Sequence, residues 1–206
     1  MFSGIVETKS KILKVTSLKE SVRIIIARPK AFKDIKIGDS ICTNGVCLTV
    51  EAFDKTTIQF CLGAETLKVL GSTFELWKKK SLNLERSLQF GQRVHGHLVT
   101  GHVDSQAQII KSYKQGECWQ IQIEIPKQFS SFFWKKGSIC LNGVSLTVNE
   151  YFKLKQKYFL EVCLIPETIS ATNLTQYKEK EFLNIEADYL AKAYIQSRAN
   201  QVKVVK

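Results

Sequence analysis

The chain has 206 residues, with 30 Lys and Arg against 19 Asp and Glu and a formal net charge of +11. That length holds one large domain or two of about 100 residues each, and a composition of 44% hydrophobic and 24% charged residues excludes wholesale disorder. Eleven Gly and three Pro exclude a collagen-like or linker-like chain, and no apolar run approaches the roughly 18 residues that span a bilayer.

The chain opens Met1-Phe2-Ser3-Gly4-Ile5-Val6-Glu7, without the basic segment and apolar core of a signal peptide, so a cytoplasmic protein without membrane contact is expected. Residues 21–27 and 57–62 are β-branched or aromatic and largely alternate with polar residues, which predicts strands. Between them, Asn44-Gly45 is a hairpin-turn signal flanked by apolar residues, because both positions tolerate positive φ. A brief helical turn is expected after Glu65-Thr66. Lys78-Lys79-Lys80 beside Trp77 is the densest basic run; the other cations are scattered, so a generally basic surface with no nucleic-acid partner is expected. Strands follow at 119–125 and 158–164, with Asn142-Gly143 as a second hairpin turn and a second helical turn after Glu167-Thr168. Short strands between turns at intervals of about ten residues suggest a small closed barrel or a sandwich. Over 188–199, Tyr189, Leu190, Ala193, Tyr194 and Ile195 recur at helical spacing behind a capping Asp188, which predicts an amphipathic helix used for self-association.

The chain repeats itself once. Residues 41–50 (ICTNGVCLTV) recur as 139–148 (ICLNGVSLTV), identical at eight of ten positions. Three further pairs keep the same order: residues 2–7 with 99–104, 61–66 with 163–168, and 82–85 with 183–186, at offsets between 97 and 102. Four ordered matches at nearly one spacing mark a tandem duplication of a small domain, with the seam near His95 to Leu98. Gly4 and Gly101 place bare backbone where something approaches closely. Thr49 shares a strand face with Cys47, and Thr147 with Ser145, by the two-residue period. Glu65, Thr66, Glu167 and Thr168 add acceptors and hydroxyls, a set suited to the edge of a flat heterocycle or to a polyol. Taken singly, each motif is better explained as a turn, a strand or a cap; their joint retention is not. The copies also differ: Cys47 corresponds to Ser145, and Ile5 to His102, so two similar sites carry different reactive groups. Of the three histidines, His95, His97 and His102, only His102 gains from the alignment of the copies. The six cysteines form no C-x-x-C pair and read as free thiols, mostly small core residues, with no metal site.

MFSGIVE at the start, NGVCLTV, HLVTGHVD at 97–104, NGVSLTV and LIPET at 164–168 closely resemble the riboflavin synthase family of the alpha-chain type, in order and over essentially the whole chain. The resemblance implies a mainly β fold of two tandem, pseudo-equivalent Greek-key barrels, residues 1–97 and 98–186, with a C-terminal helix and tail over 187–206 that holds a homotrimer. It implies a transferase that moves a four-carbon unit between two molecules of 6,7-dimethyl-8-ribityllumazine, giving riboflavin and 5-amino-6-ribitylamino-uracil without metal or organic cofactor. An association with lumazine synthase also belongs to this expectation. In the first barrel's pocket it implies Gly4, Ile5, Val6, Cys47, Leu48 and Thr49, together with Cys61, Leu62, Gly63, Ala64, Glu65 and Thr66. In the second it implies Gly101, His102, Val103, Lys136, Ser145, Leu146 and Thr147, together with Cys163, Leu164, Ile165, Pro166, Glu167 and Thr168. Cys47, Ser145 and His102 become the candidates for nucleophile activation or proton transfer, with Asp188 assisting across a subunit interface. Ala64 and Cys163 depart from the family's usual Lys and His at the pocket edge. A non-catalytic lumazine or flavin carrier is the rival reading, and an RNA-binding barrel drawn by the positive charge is a third.

Overall fold

The computed structural model describes residues 1–204. The first copy consists of β1 (Thr8–Ser10), β2 (Ile12–Ser17), β3 (Ser21–Ala27), β4 (Ser40–Thr43), β5 (Val46–Phe53), β6 (Thr57–Gly63), helices α1 (Ala64–Leu70) and α2 (Thr73–Trp77), and β7 (Leu82–Arg86). The second consists of β8 (Ser105–Gln115), β9 (Cys118–Ile125), a 3-10 turn at Lys127–Phe132, β10 (Ser138–Leu141), β11 (Val144–Leu154), β12 (Lys157–Leu164), α3 (Pro166–Ala171), a 3-10 turn at Leu174–Gln176 and β13 (Phe182–Ala187). The helix α4 (Tyr189–Val204) follows.

The second copy closes as a six-stranded barrel in the order β10-β11-β12-β9-β8-β13. In the first the order is β1-β7-β4-β5-β6-β3-β2, and its two edge strands are consecutive in the chain, parted only by Lys11, whose carbonyl still accepts from Ala27 N at 3.1 Å. The meander β4-β5-β6 with β3 beside β6, and its counterpart β10-β11-β12 with β9, is a Greek key. All pairings are antiparallel. Register shifts fall at matching places in both copies, between Val50 and Ala52 and between Val148 and Glu150, and such bulges bend and twist a sheet so that it can roll up.

Period-two burial drives the strands. Ile24 and Ile26, Ile58, Phe60 and Leu62 fill one core, while Ile121 and Ile123, Leu160, Val162 and Leu164 fill the other. Each such side chain contributes about 1.5–3 kcal/mol on leaving water. The predicted strands and both Asn-Gly hairpins are present; Asn44 and Asn142 both hold φ at +46°. The helical turns differ slightly from expectation: Glu65-Thr66 and Glu167-Thr168 lie inside α1 and α3 rather than before them. Helix α2 is unannounced in the sequence. Its Trp77 is fully buried, so this ring beside the basic run at 78–80 belongs to the core. Two of the six cysteines, Cys42 and Cys140, are buried; the other four are only partly covered, so most are not core residues as expected.

The two copies pack about a pseudo-two-fold axis. Phe2 pairs with its own counterpart Val99 in a mutual bridge, N to O at 2.8 and 3.0 Å. Gly45 meets Gly143 so closely that a Cβ on either would lie 2.9–3.0 Å from the other's backbone nitrogen. Buried asparagines sew the interface. Asn83 Nδ2 donates to Asn142 O and Asn184 Nδ2 to Asn44 O, both at 2.9 Å. Asn44 Oδ1 and Asn142 Oδ1 accept from the backbone of Asn83 and Asn184. The repeated Leu-Asn-x-Glu segments therefore owe their asparagines to the contact between copies.

Candidate functional site

Each pocket begins with a strand that leaves its neighbour. β5 pairs with β4 over 46–49 but joins β6 only from Val50 onward, and β11 likewise meets β12 only from Val148. Along the open stretches Cys47 and Thr49, and Ser145 and Thr147, point outward, while Leu48 and Leu146 turn into the cores. Leu62 and Leu164 are also core residues. These four leucines thus expose no side chain to a ligand.

What fills the openings corrects the expected grouping. Cys47 N donates to Gly101 O, and Ser145 N to Gly4 O, both at 2.8 Å. Gly101, His102 and Val103 therefore lie against the first barrel, and Gly4, Ile5 and Val6 against the second. Val103 packs on the first core and Val6 on the second. Each glycine is where a Cβ cannot go: at φ +75° and +79°, a methyl on Gly4 or Gly101 would come 2.6 Å from the Cβ of Ser145 or Cys47. The arms cross because each is clamped by its own copy. Glu85 accepts from Ser3 N at 2.7 Å, Ser3 Oγ at 2.9 Å and Gly4 N at 3.0 Å; Glu186 does the same for Thr100 and Gly101. Burial raises both carboxyl pKa values, and these amide donors work against it.

A cavity of about 220 Å³ results on the first barrel, lined by Val46, Cys47, Glu65, Thr66, Val69 and Leu70 with Gly101, His102 and Val103. His102 is exposed at its rim. Burial pushes the Cys42 and Cys140 thiols well up, so both stay protonated; Cys47, half-buried, is the accessible thiol of this cavity. A larger concavity of about 560 Å³ lies beside Ser3 and Ile5, but its Arg86 is already paired with Glu7 and Asp34. Among the described residues no cluster of three metal-ligating side chains occurs, and no helix is long and apolar enough to cross a membrane.

Beside Ser145 the structure places a residue that the sequence pattern does not single out. His97 Nδ1 and Ser145 Oγ are hydrogen-bonded at 2.7 Å. Burial lowers the imidazole's pKa below its ordinary value, against the nearby charge of Asp188. His97 lies just outside the four repeated segments, so alignment of the copies cannot select it; its place at the head of HLVTGHVD was the available signal. Asp188 caps α4, accepting from Leu190 N at 2.8 Å and Ala191 N at 3.2 Å. Lys136 is exposed and donates its backbone N–H to Val148 O at 2.8 Å. Ile165, Pro166 and Glu167 are exposed at the start of α3, as Gly63, Ala64 and Glu65 are at the start of α1. Cys61 and Cys163 face outward, Cys163 accepting from Gln120 Nε2 at 3.3 Å.

The family model for the lumazine binding domain matches twice, at residues 3–87 and 100–188. The riboflavin synthase of Photobacterium phosphoreum is 35% identical over 93% of this chain and 86% of its own length. The chain belongs to the riboflavin synthase family. Riboflavin synthases of Mycobacterium bovis and Brucella abortus are 36% and 34% identical, each over 93% of this chain and 95% of their own. Among solved structures, LumP complexed with 6,7-dimethyl-8-(1'-D-ribityl) lumazine superposes with a TM-score of 0.78 at 22% identity, covering 91% of this chain and 99% of that one; at that identity the likeness speaks for the fold. The family's twofold domain match coincides with the two copies found by self-comparison.

Proposed function

We propose that this chain transfers a four-carbon unit from one 6,7-dimethyl-8-ribityllumazine to another, releasing riboflavin and 5-amino-6-ribitylamino-uracil. The observation that carries the reading is the pair of matched, unequal strand openings, each covered by the other copy's glycine arm. Both keep the open strand stretch, the crossed glycine arm and the Glu-Thr at a helix start, as two ligands of one shape require. They differ in reactive groups, as donor and acceptor roles require. Membership of the riboflavin synthase family supports it independently.

On this reading the outward Thr49 and Thr147 and the strand backbone hold the pteridine edge, while Glu65, Thr66, Glu167 and Thr168 address the ribityl chains. The C7 methyl of the donor is acidic because its carbanion delocalises into the ring, so His102 at the cavity rim suffices as a base. Cys47 or Ser145 supplies or orients the nucleophile that adds at C7 of the acceptor. Juxtaposition of two rings supplies much of the rate, since orientation alone is worth roughly 7–11 kcal/mol. No cofactor enters. The working site is formed between the first barrel of one chain and the second barrel of another in a cytoplasmic homotrimer. Tyr189, Leu190 and Tyr194, exposed on α4 at 47%, 65% and 61%, support such an interface.

Incubation of the purified chain with the lumazine tests the activity: riboflavin absorbance should appear with one uracil product per riboflavin. Lumazine binding without product would make the chain a carrier instead. Sedimentation at micromolar concentration should give three chains, and a monomer would remove the shared site.

A further inference from the structure

Ser145 is held on three sides. Gly4 covers it, Gly96 approaches so closely that a Cβ there would lie 2.7 Å from Ser145 Oγ, and His97 bonds that oxygen at 2.7 Å. The His97 backbone N–H donates to Ser3 O at 3.2 Å, and Ser3 is fixed by Glu85. The second ring nitrogen, Nε2, is buried with no partner among the described residues. An unpaired buried N–H costs more than an unpaired lone pair, and orphaned donors are the rarer of the two. A neutral imidazole therefore carries its proton on Nδ1. Among the described residues no imidazole is hydrogen-bonded to Cys47, the counterpart of Ser145.

We propose that His97 is a positioning residue of the second pocket: its Nδ1–H donates to Ser145 Oγ, which turns the serine O–H into the pocket as a polarised hydrogen-bond donor to the bound heterocycle. The proposal rests on the lumazine reading above. It makes Ser145 a donor to ring oxygen or nitrogen rather than a nucleophile, and leaves covalent addition to other groups. A hydroxyl that itself accepts a hydrogen bond is a stronger donor through mutual polarisation. The charged group bearing on the imidazole is Asp188 at the start of α4; Ser3 and Ser145, which also face it, are neutral, and Glu85 lies behind Ser3.

The test uses the full chain and the variants H97A, H97N, S145A and H97A/S145A, with melting curves to confirm folding. The side-chain amide introduced by H97N keeps a donor near the Nδ1 position. Expected are losses in kcat on the order of tenfold for H97A and S145A, a double variant no worse than the poorer single, and H97N within about threefold of wild type with an unchanged pH profile. Nitrogen-15 spectra of the wild type should show a protonated Nδ1 and a bare Nε2 above pH 7. Multiplying losses in the double variant, or a protonated Nε2, would overturn the proposal, as would an acid limb that disappears in H97N, since that limb belongs to a titrating base. If the wild type makes no riboflavin, the activity reading fails separately, and equal, non-additive losses of lumazine affinity in the three alanine variants still uphold the His97–Ser145 pair.

Discussion

Gly101→Ala isolates the crossed arm. At φ +79° an L-residue carries a conformational penalty of roughly 1–2 kcal/mol. The new methyl would also lie 2.6 Å from Cys47 Cβ and 2.7 Å from Cys47 N, contacts with backbone and a Cβ that no rotamer change relieves. Forcing a methyl into such a place costs typically about 1–3 kcal/mol more. For a chain of this size each kcal/mol moves Tm by about 2–4 °C, so a fall of about 10 °C is expected. Gly116→Ala separates the two contributions: its φ is +59° and nothing lies within 4 Å, so only the conformational part, a few degrees, should appear. The methyl also pries Gly101 from Cys47 in the first cavity, so lumazine titration should show the first site weakened more than the second. Gly4→Ala should do the reverse. A Gly101→Ala protein that melts with Gly116→Ala and binds lumazine normally at both sites would refute the close approach of the arm and with it the crossed pockets.

Asn83→Ala leaves Asn142 O and Asn173 N without their buried partner, each loss worth about 1–3 kcal/mol. Denaturant unfolding should show Asn83→Ala and its mirror Asn184→Ala similarly destabilised, and loss from only one would deny the symmetry. With thiol reagents in native buffer, Cys42 and Cys140 should stay unlabelled until the protein unfolds, since both are buried and their pKa values lie well above the ordinary thiol range; rapid labelling of either would contradict the packing between copies. Because the His97 pKa is lower in the folded chain than its ordinary 6.5, the unfolded state takes up more protons, and stability should fall as pH drops from about 7 through 6.5. That loss should be absent from His97→Asn measured by urea unfolding at pH 7 and 5.5, and an identical slope in both proteins would deny the burial of the imidazole.

The strands, the hairpins and the duplication were legible because each rests on a local signal. Alternation of Ile, Val and Phe with polar residues sets the strand faces, and Asn-Gly sets turns with positive φ. The outward pairs Cys47–Thr49 and Ser145–Thr147 follow from the same period. The partition of residues between pockets was not legible, because it depends on which copy an arm lies over, a contact 54 residues distant in sequence for Cys47 and Gly101 and 141 for Ser145 and Gly4. Gly4 and Gly101 announced a close approach; nothing in their sequence names Ser145 and Cys47 as what approaches. Asn83 and Asn184 were hidden for the same reason: a buried amide spanning two domains looks locally like any strand residue. His97 escaped because self-comparison can reveal only what both copies retain.

The crossing decides how the chemical differences between the copies add up. Had each arm covered its own barrel, the pocket of Cys47 would hold Ile5, and that of Ser145 would hold His102: one reactive group would be new in each. With the arms exchanged, Cys47 and His102 meet in one cavity, and Gly4, next to Ile5 in the chain, lies on Ser145. Thiol and exposed imidazole are thereby concentrated in one place, while beside Ser145 the imidazole among the described residues, His97, is buried and engaged with the serine. On the proposed function, two openings of matched construction then take the same molecule and treat it differently. Because Glu85 and Glu186 anchor the arms from their own copies, each half supplies the cover of the other half's strand opening, and a substitution in either arm is felt first across the pseudo-two-fold axis.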